Sequence, residues 1–161
     1  DTLTRLCAAL GMDGSEYRRL VAGSFLVSCD NAHAVHPNHG EFADRNHTAR
    51  MNGGVVIKYN ANQRYTSDAV SAGIFRRICE SAGVPVQYYA NRADMPGGST
   101  LGNISNTQVS LNAVDIGLAQ LAMHSPFETA GAADTASLVK ALTAFFEHSL
   151  VAERDGVYRF L

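Results

Sequence analysis

The segment Ser28-Cys29-Asp30-Asn31-Ala32-His33-Ala34-Val35-His36-Pro37-Asn38 places one carboxylate and two imidazoles within seven residues, directly after an apolar run. Asp oxygens and imidazole nitrogens are ordinary ligands of zinc or manganese, and Asp30, His33 and His36 are close enough in sequence to converge on one pocket. The pattern equally fits a strand end with a capping Asp and surface histidines. A second constellation, Gln120-Leu121-Ala122-Met123-His124-Ser125, brings a further imidazole. Loops leaving strands on one side of a sheet meet in space, so His124 could face Asp30 as a second ligand; the plainer alternative is a loop histidine bonded to a backbone carbonyl. The third feature is Gly97-Gly98-Ser99-Thr100-Leu101-Gly102. Glycines there let backbone N–H groups approach a carboxylate or phosphate, and Ser99 and Thr100 add hydroxyls. No Gly-Lys-Ser or Gly-Lys-Thr follows, so it is not a Walker loop, and a lone glycine turn also fits a structural bend.

These groups need a scaffold. Phe25 to Cys29 reads as a short buried strand, which puts Asp30 at its carboxyl end, where open α/β sheets hold their ligands. Val55 to Tyr59, Val86 to Ala90 and Leu111 to Gly117 read as three further strands. Leu3 to Leu10 predicts a helix stopped by Gly11, and a short helix is expected over Ser15 to Val21 with Ser15 as its cap. Val70, Ile74 and Ile78 at helical spacing predict a helix over Ser67 to Ala82, and a last helix is expected from about Thr135 to Ala152. Pro37 to Gly54 is a polar loop without periodicity, long enough to suggest function or mobility. Strands alternating with helices define an α/β class with a parallel or mixed sheet covered on both faces.

Composition narrows the functions. The 161 residues fit one domain, and thirteen basic against fifteen acidic residues leave a formal charge of -2. That balance supplies no electrostatic basis for nucleic acid or an anionic membrane surface, and no apolar stretch approaches the roughly 20 residues that span a bilayer. Cys7, Cys29 and Cys79 are odd in number, widely spaced and without a CxxC pair, as expected of reduced thiols in a cytoplasm.

Four blocks in order resemble one family: Asp30 to Asn38, Val56-Ile57-Lys58-Tyr59-Asn60-Ala61-Asn62-Gln63-Arg64-Tyr65, Gly98-Ser99-Thr100-Leu101-Gly102, and Asp115-Ile116-Gly117-Leu118-Ala119-Gln120-Leu121-Ala122-Met123-His124-Ser125. From about Ser24 to Gly131 the chain is similar to the aspartyl aminopeptidases, dinuclear zinc metallopeptidases. The resemblance implies that Asp30 is a terminal ligand to one metal and His124 a ligand to the other. It implies that His33, Lys58 and Tyr65 contact the substrate and that the backbone around Gly98, Ser99 and Thr100 lines its pocket, with His36 in a supporting role. The implied cofactor is zinc, two ions per complete site, with cobalt or manganese as alternatives. The implied partners are peptide substrates and further copies of the protein, up to a dodecamer. Gly97 stands where the family often has Cys, and Pro126-Phe127-Glu128 follows His124-Ser125 where an Arg is common, which bears on side-chain preference.

The family also uses an upstream His, an Asp bridging both metals, and two adjacent glutamates. The six glutamates here, Glu16, Glu41, Glu80, Glu128, Glu147 and Glu153, include no adjacent pair. The resemblance therefore implies that residues 1–161 are the carboxyl-terminal portion of a zinc-aminopeptidase (phosphorylase/hydrolase-like) catalytic domain, without its upstream half and its dimerisation domain. Such a parent would release N-terminal Asp or Glu, and this chain alone would be inactive. The alternative is a catalytically dead binding or assembly module of the same fold. Asp30, His33 and His36 as a mononuclear site stays open as well.

Overall fold

The structure, a computed structural model, describes residues 1–154 and 156–161. Its elements run α1 (Thr2–Ala9), α2 (Gly14–Ala22), β1 (Phe25–Cys29), β2 (Ala32–His33), β3 (Val55–Tyr59), α3 (Ala69–Ser81), β4 (Val86–Ala90), α4 (Leu101–Gln108), β5 (Asn112–Gly117), β6 (Ala119–Leu121), β7 (Thr129–Ala130), α5 (Ala132–Glu147), β8 (Leu150–Arg154) and β9 (Val157–Phe160).

The main sheet has the order β1-β5-β3-β4. β1 runs parallel to β5, and β3 parallel to β4, but β3 and β5 are antiparallel, so the sheet is mixed. Alternation along the strands divides its faces. Val55, Ile57, Val114 and Ile116 meet Ile74, Phe75 and Ile78 of α3 and Ala141 and Ala144 of α5 in the larger core. Val56 turns the other way, into a smaller cluster with Ala49, Tyr65, Tyr89 and Ala119. That double burial explains why β3 opens on the unbroken apolar run Val55-Val56-Ile57 before Lys58. On this second side Gly102 of α4 lies against Asp115 and Ser28, so helices cover both faces as the α/β reading requires.

Three local expectations are corrected. Asp13, not Ser15, caps α2: its carboxylate accepts from the N–H groups of Ser15 and Glu16 while Glu16 returns a bond to the Asp13 N–H, a reciprocal box that serine could not have completed from inside the helix. The last helix stops at Glu147, because Leu150–Arg154 and Val157–Phe160 form an antiparallel hairpin whose inward side chains, Leu150, Tyr158 and Phe160, join the larger core. Leu101–Gln108 forms a helix that local pattern does not announce. The loop 37–54 holds a single 3-10 turn at Gly40–Phe42 and an isolated bridge from Ala43 to Asn91. Among the described residues no helix is long and apolar enough to cross a membrane.

Candidate metal and substrate site

Two short parallel strands assemble the site. Past the ends of β1 and β5 the chains stay paired through β2 and β6, with Ala32 opposite Ala119 and His33 opposite Gln120. Asn31 locks the junction: its amide donates to the side chain of Gln120 and accepts from the Leu118 N–H at 3.2 Å. Gly117 permits the approach, since a Cβ there would stand 1.8 Å from the Asp30 carbonyl oxygen. The Asp30 N–H donates to the Ile116 carbonyl at 3.0 Å, so its backbone is fixed while the carboxylate lies exposed at the strand end.

His124 sits in the turn between β6 and β7. Both Ala122 (φ 55°) and His124 (φ 67°) adopt the left-handed region, which costs energy for residues with side chains and marks a turn shaped for something other than stability. Glu128 holds the turn by accepting from the His124 N–H at 2.6 Å. His124 is near enough to His33 that the two repel when charged. Loss of solvation, then that repulsion and the Lys58 charge, hold the His33 imidazole below its usual pKa and keep it neutral near pH 7.

Lys58 is 1 % exposed. Its ammonium donates to the carbonyls of Asp30 at 2.9 Å and Asn31 at 3.4 Å and lies 5.0 Å from the centre of the Tyr65 ring. Burial lowers its pKa, against the attraction of Asp30, Asp115 and Cys29. Tyr65 is buried beside Tyr89, and burial pushes its phenol up to about 12, so it stays a protonated donor. Tyr89 in turn packs near His33 and accepts from the Asn91 amide at 3.1 Å.

Of the glycine turn, Gly98 and Ser99 are exposed, with the Ser99 hydroxyl donating to Asn103 at 3.2 Å, whereas Thr100 is buried with its hydroxyl on Asp115 at 2.6 Å. His36 is exposed, accepts from the Asn38 N–H at 3.2 Å and stacks near His39. His33, His36, His39, Phe42, Tyr89 and Gln120 border a cleft of about 330 Å³. The structure thus gathers Asp30, His33, Lys58 and Tyr65 around the junction, with His124 alongside. His36 faces the outer cleft.

The donor set suits zinc in kind, a carboxylate and an imidazole. It falls short in number: among the described residues no group of three or more His, Cys, Asp or Glu side chains could hold a metal ion. Sequence reasoning passed over Asn31, Gln120, Glu128 and Asp115. Only Asp115 carried a signal, as a lone carboxylate inside the apolar strand Ala113-Val114-Asp115-Ile116.

A mixed α/β sheet whose strand ends present a carboxylate, imidazoles and a buried lysine has the layout of an α/β domain that holds its ligand at the strand ends. Residues 1–146 match the aminopeptidase I zinc metalloprotease (M18) family, and the chain belongs to that family. It is 50% identical over 137 residues to the probable M18 family aminopeptidase 2 of Pseudomonas aeruginosa, covering 85% of this chain and 32% of that protein. The chain therefore spans about a third of the length of such relatives. Its fold matches the structure of the Ape4 and Nbr1 complex with a TM-score of 0.87 at 37% identity, over 91% of this chain and 28% of that one. It matches the S. cerevisiae mApe1 dodecamer with a TM-score of 0.71 at 29% identity, over 80% of this chain and 28% of that one.

Proposed function

We propose that this chain is the carboxyl-terminal part of the catalytic domain of a cytoplasmic zinc aminopeptidase that removes N-terminal residues, Asp or Glu by preference, from peptides. The observation that carries the reading is the junction at the end of β1. There the buried Lys58 ammonium binds the Asp30 and Asn31 carbonyls and lies 5.0 Å from the centre of the Tyr65 ring, while β2 pairs His33 with Gln120 on the strand that leads to the His124 turn. Asp30 and His124 would each hold one ion of a pair whose remaining ligands lie upstream. When bound, such a pair polarises the scissile carbonyl and ionises a water near neutral pH.

The residues of this chain bind and orient the substrate. Tyr65 donates from a phenol that does not ionise in the working range. The neutral imidazole of His33 offers one donor and one acceptor beside the ligands. Lys58 has three donors and spends two on the Asp30 and Asn31 carbonyls, and its buried, incompletely compensated charge would attract an acidic side chain held over the junction. The exposed turn at Gly98 and Ser99 would present neutral backbone N–H donors to the substrate. The general base, a glutamate, belongs to the upstream portion, so this chain alone is inactive. The neighbouring dodecamer supports assembly of the complete protein into a homo-oligomer.

The test compares this chain with the complete protein for zinc content by elemental mass spectrometry and for release of Asp, Glu, Leu and Ala from matched peptides. Two zincs per subunit and preferential release of acidic residues by the complete protein alone are expected. Two zincs and activity in the 161-residue chain would overturn the fragment reading. A metal-free, inactive complete protein would leave a binding or assembly module.

A further inference from the structure

Asp115 is the most completely enclosed carboxylate of the sheet, with 0% of its surface exposed, and the function above gives it no part. One oxygen accepts from the Thr100 hydroxyl at 2.6 Å. The other accepts from the Thr66 N–H at 2.6 Å and the Thr66 hydroxyl at 2.9 Å. Its own N–H donates to the Ser67 hydroxyl at 2.9 Å, and that hydroxyl reaches back to the Asp115 carbonyl at 3.4 Å. A single residue of β5 therefore grips two loops that are 34 positions apart in sequence, through Thr66 and Thr100.

Both grips sit next to groups that the proposed function turns to the substrate. Thr66 follows Tyr65, and Thr100 closes the Gly98-Ser99-Thr100 turn. Thr100 also occupies the N-cap position of α4 with extended backbone, where threonine ordinarily caps its own helix, yet its side chain makes no capping bond. The hydroxyl is given to Asp115 instead, so the bond between turn and strand takes precedence over the stability of the helix. Gly102 keeps the first turn of α4 against this group: a Cβ there would meet Asp115 Oδ2 and Ser28 Cβ, each at 2.8 Å.

We propose that Asp115 is a positioning residue that sets the distance between the Tyr65 loop and the Gly98–Thr100 turn, and thereby the width of the substrate pocket. The inference rests on the aminopeptidase reading. A carboxylate suits the task because both its oxygens only accept, so the Thr66 and Thr100 hydroxyls must both aim their protons at it and each side chain is held in one rotamer. An amide would present donors to one side and let that side turn away. Position, rather than chemistry at the metals, is what the clamp governs, so its loss acts on substrate binding.

The experiment measures kcat and KM for an acidic peptide, with zinc content and thermal midpoint, in the complete enzyme and in Asp115→Asn, Thr100→Val, Thr100→Ser and Asp115→Asn/Thr100→Val. Thr100→Val keeps the shape and removes one hydroxyl, so it serves even where Asp115→Asn does not fold. For Thr100→Val and Asp115→Asn we expect KM raised about tenfold, as for one misplaced charge-assisted contact, with kcat and zinc content nearly unchanged. Thr100→Ser restores the original KM, and where Asp115→Asn folds the double variant is no worse than the poorer single one. A purely structural role would lower the thermal midpoint and the active fraction, seen as reduced kcat, at unchanged KM, and that result overturns the proposal. An unsubstituted enzyme that cleaves no peptide overturns the aminopeptidase reading and this inference with it, whereas an active enzyme with unchanged KM in the variants overturns this inference alone.

Discussion

Gly117→Ala tests how the site junction is built. Gly117 is outside the left-handed region, so on backbone grounds alanine should stabilise the protein by about 0.4–1 kcal/mol through the unfolded chain. The structure predicts the opposite sign. The new Cβ would lie 1.8 Å from the Asp30 carbonyl oxygen, 2.7 Å from its carbon and 2.8 Å from Asn31 Cα, all backbone atoms that cannot rotate aside. Ordinary contact begins near 3.4 Å, so the Asp30–Asn31 segment must retreat by about 1.6 Å. That carbonyl is also the acceptor for Lys58 at 2.9 Å, and the Asp30 N–H is bonded to Ile116 at 3.0 Å. Forced expansion costs about 1–3 kcal/mol. Weakening a buried ammonium's bond adds about 1.5–3 kcal/mol. A loss of about 3–5 kcal/mol is therefore expected, a large part of the total for a domain whose folding free energy is roughly 5–15 kcal/mol. Urea unfolding of the complete protein by circular dichroism reads the loss, and, with Asp30 in the proposed role of metal ligand, elemental analysis reads an accompanying fall in zinc. Gly73→Ala is the control: it lies within α3 with open space around it and should stabilise by about 0.5–1 kcal/mol. An unfolding midpoint for Gly117→Ala equal to or above the original, with zinc retained, would refute the close-approach reasoning.

Asp134, 1 % exposed, accepts from the Asn52 N–H at 2.6 Å and the Gly54 N–H at 2.8 Å, while Asn52 answers by accepting from the Ala133 N–H at the start of α5. Asp134→Ala should cost about 2–4 kcal/mol in urea unfolding by stranding two N–H groups, and Asp134→Asn should recover part of it. Cys29 is exposed while Cys7 and Cys79 are buried, so peptide mapping after brief alkylation of the folded protein should find Cys29 labelled and the other two unmodified until denaturation. Burial, helped by Glu80, pushes the Cys79 thiol up to about 12, so the folded state keeps its proton where the unfolded chain, ionising near pH 8.5–9, loses it. Stability should fall as pH rises from about 9 towards 12, and Cys79→Ala should flatten that part of the denaturation-midpoint profile.

The sequence by itself determined the elements whose signals are local. Val55 to Ile57 is an unbroken apolar run because both faces of β3 are buried. Ile74 and Ile78 repeat at helical spacing because α3 turns them to the sheet, whereas Val70, one turn earlier on the same spacing, stays exposed. The donor types were equally plain in Asp30, His33 and His124, and the four ordered blocks pointed to the M18 family that the comparison over residues 1–146 supports. What tertiary structure alone decided depends on contacts between distant residues. Nothing in β3 states that it runs antiparallel to β5, yet that register sets Lys58 beneath the Asp30 carbonyl. The left-handed turn at His124 is imposed by the β6–β7 pairing and the Glu128 bond, not by a glycine that could have announced it. Asp115 reads locally as an interruption of an apolar strand. Only folding brings Thr66 and Thr100 to its two oxygens, because a buried carboxylate must find donors and local spacing does not say which loops will provide them.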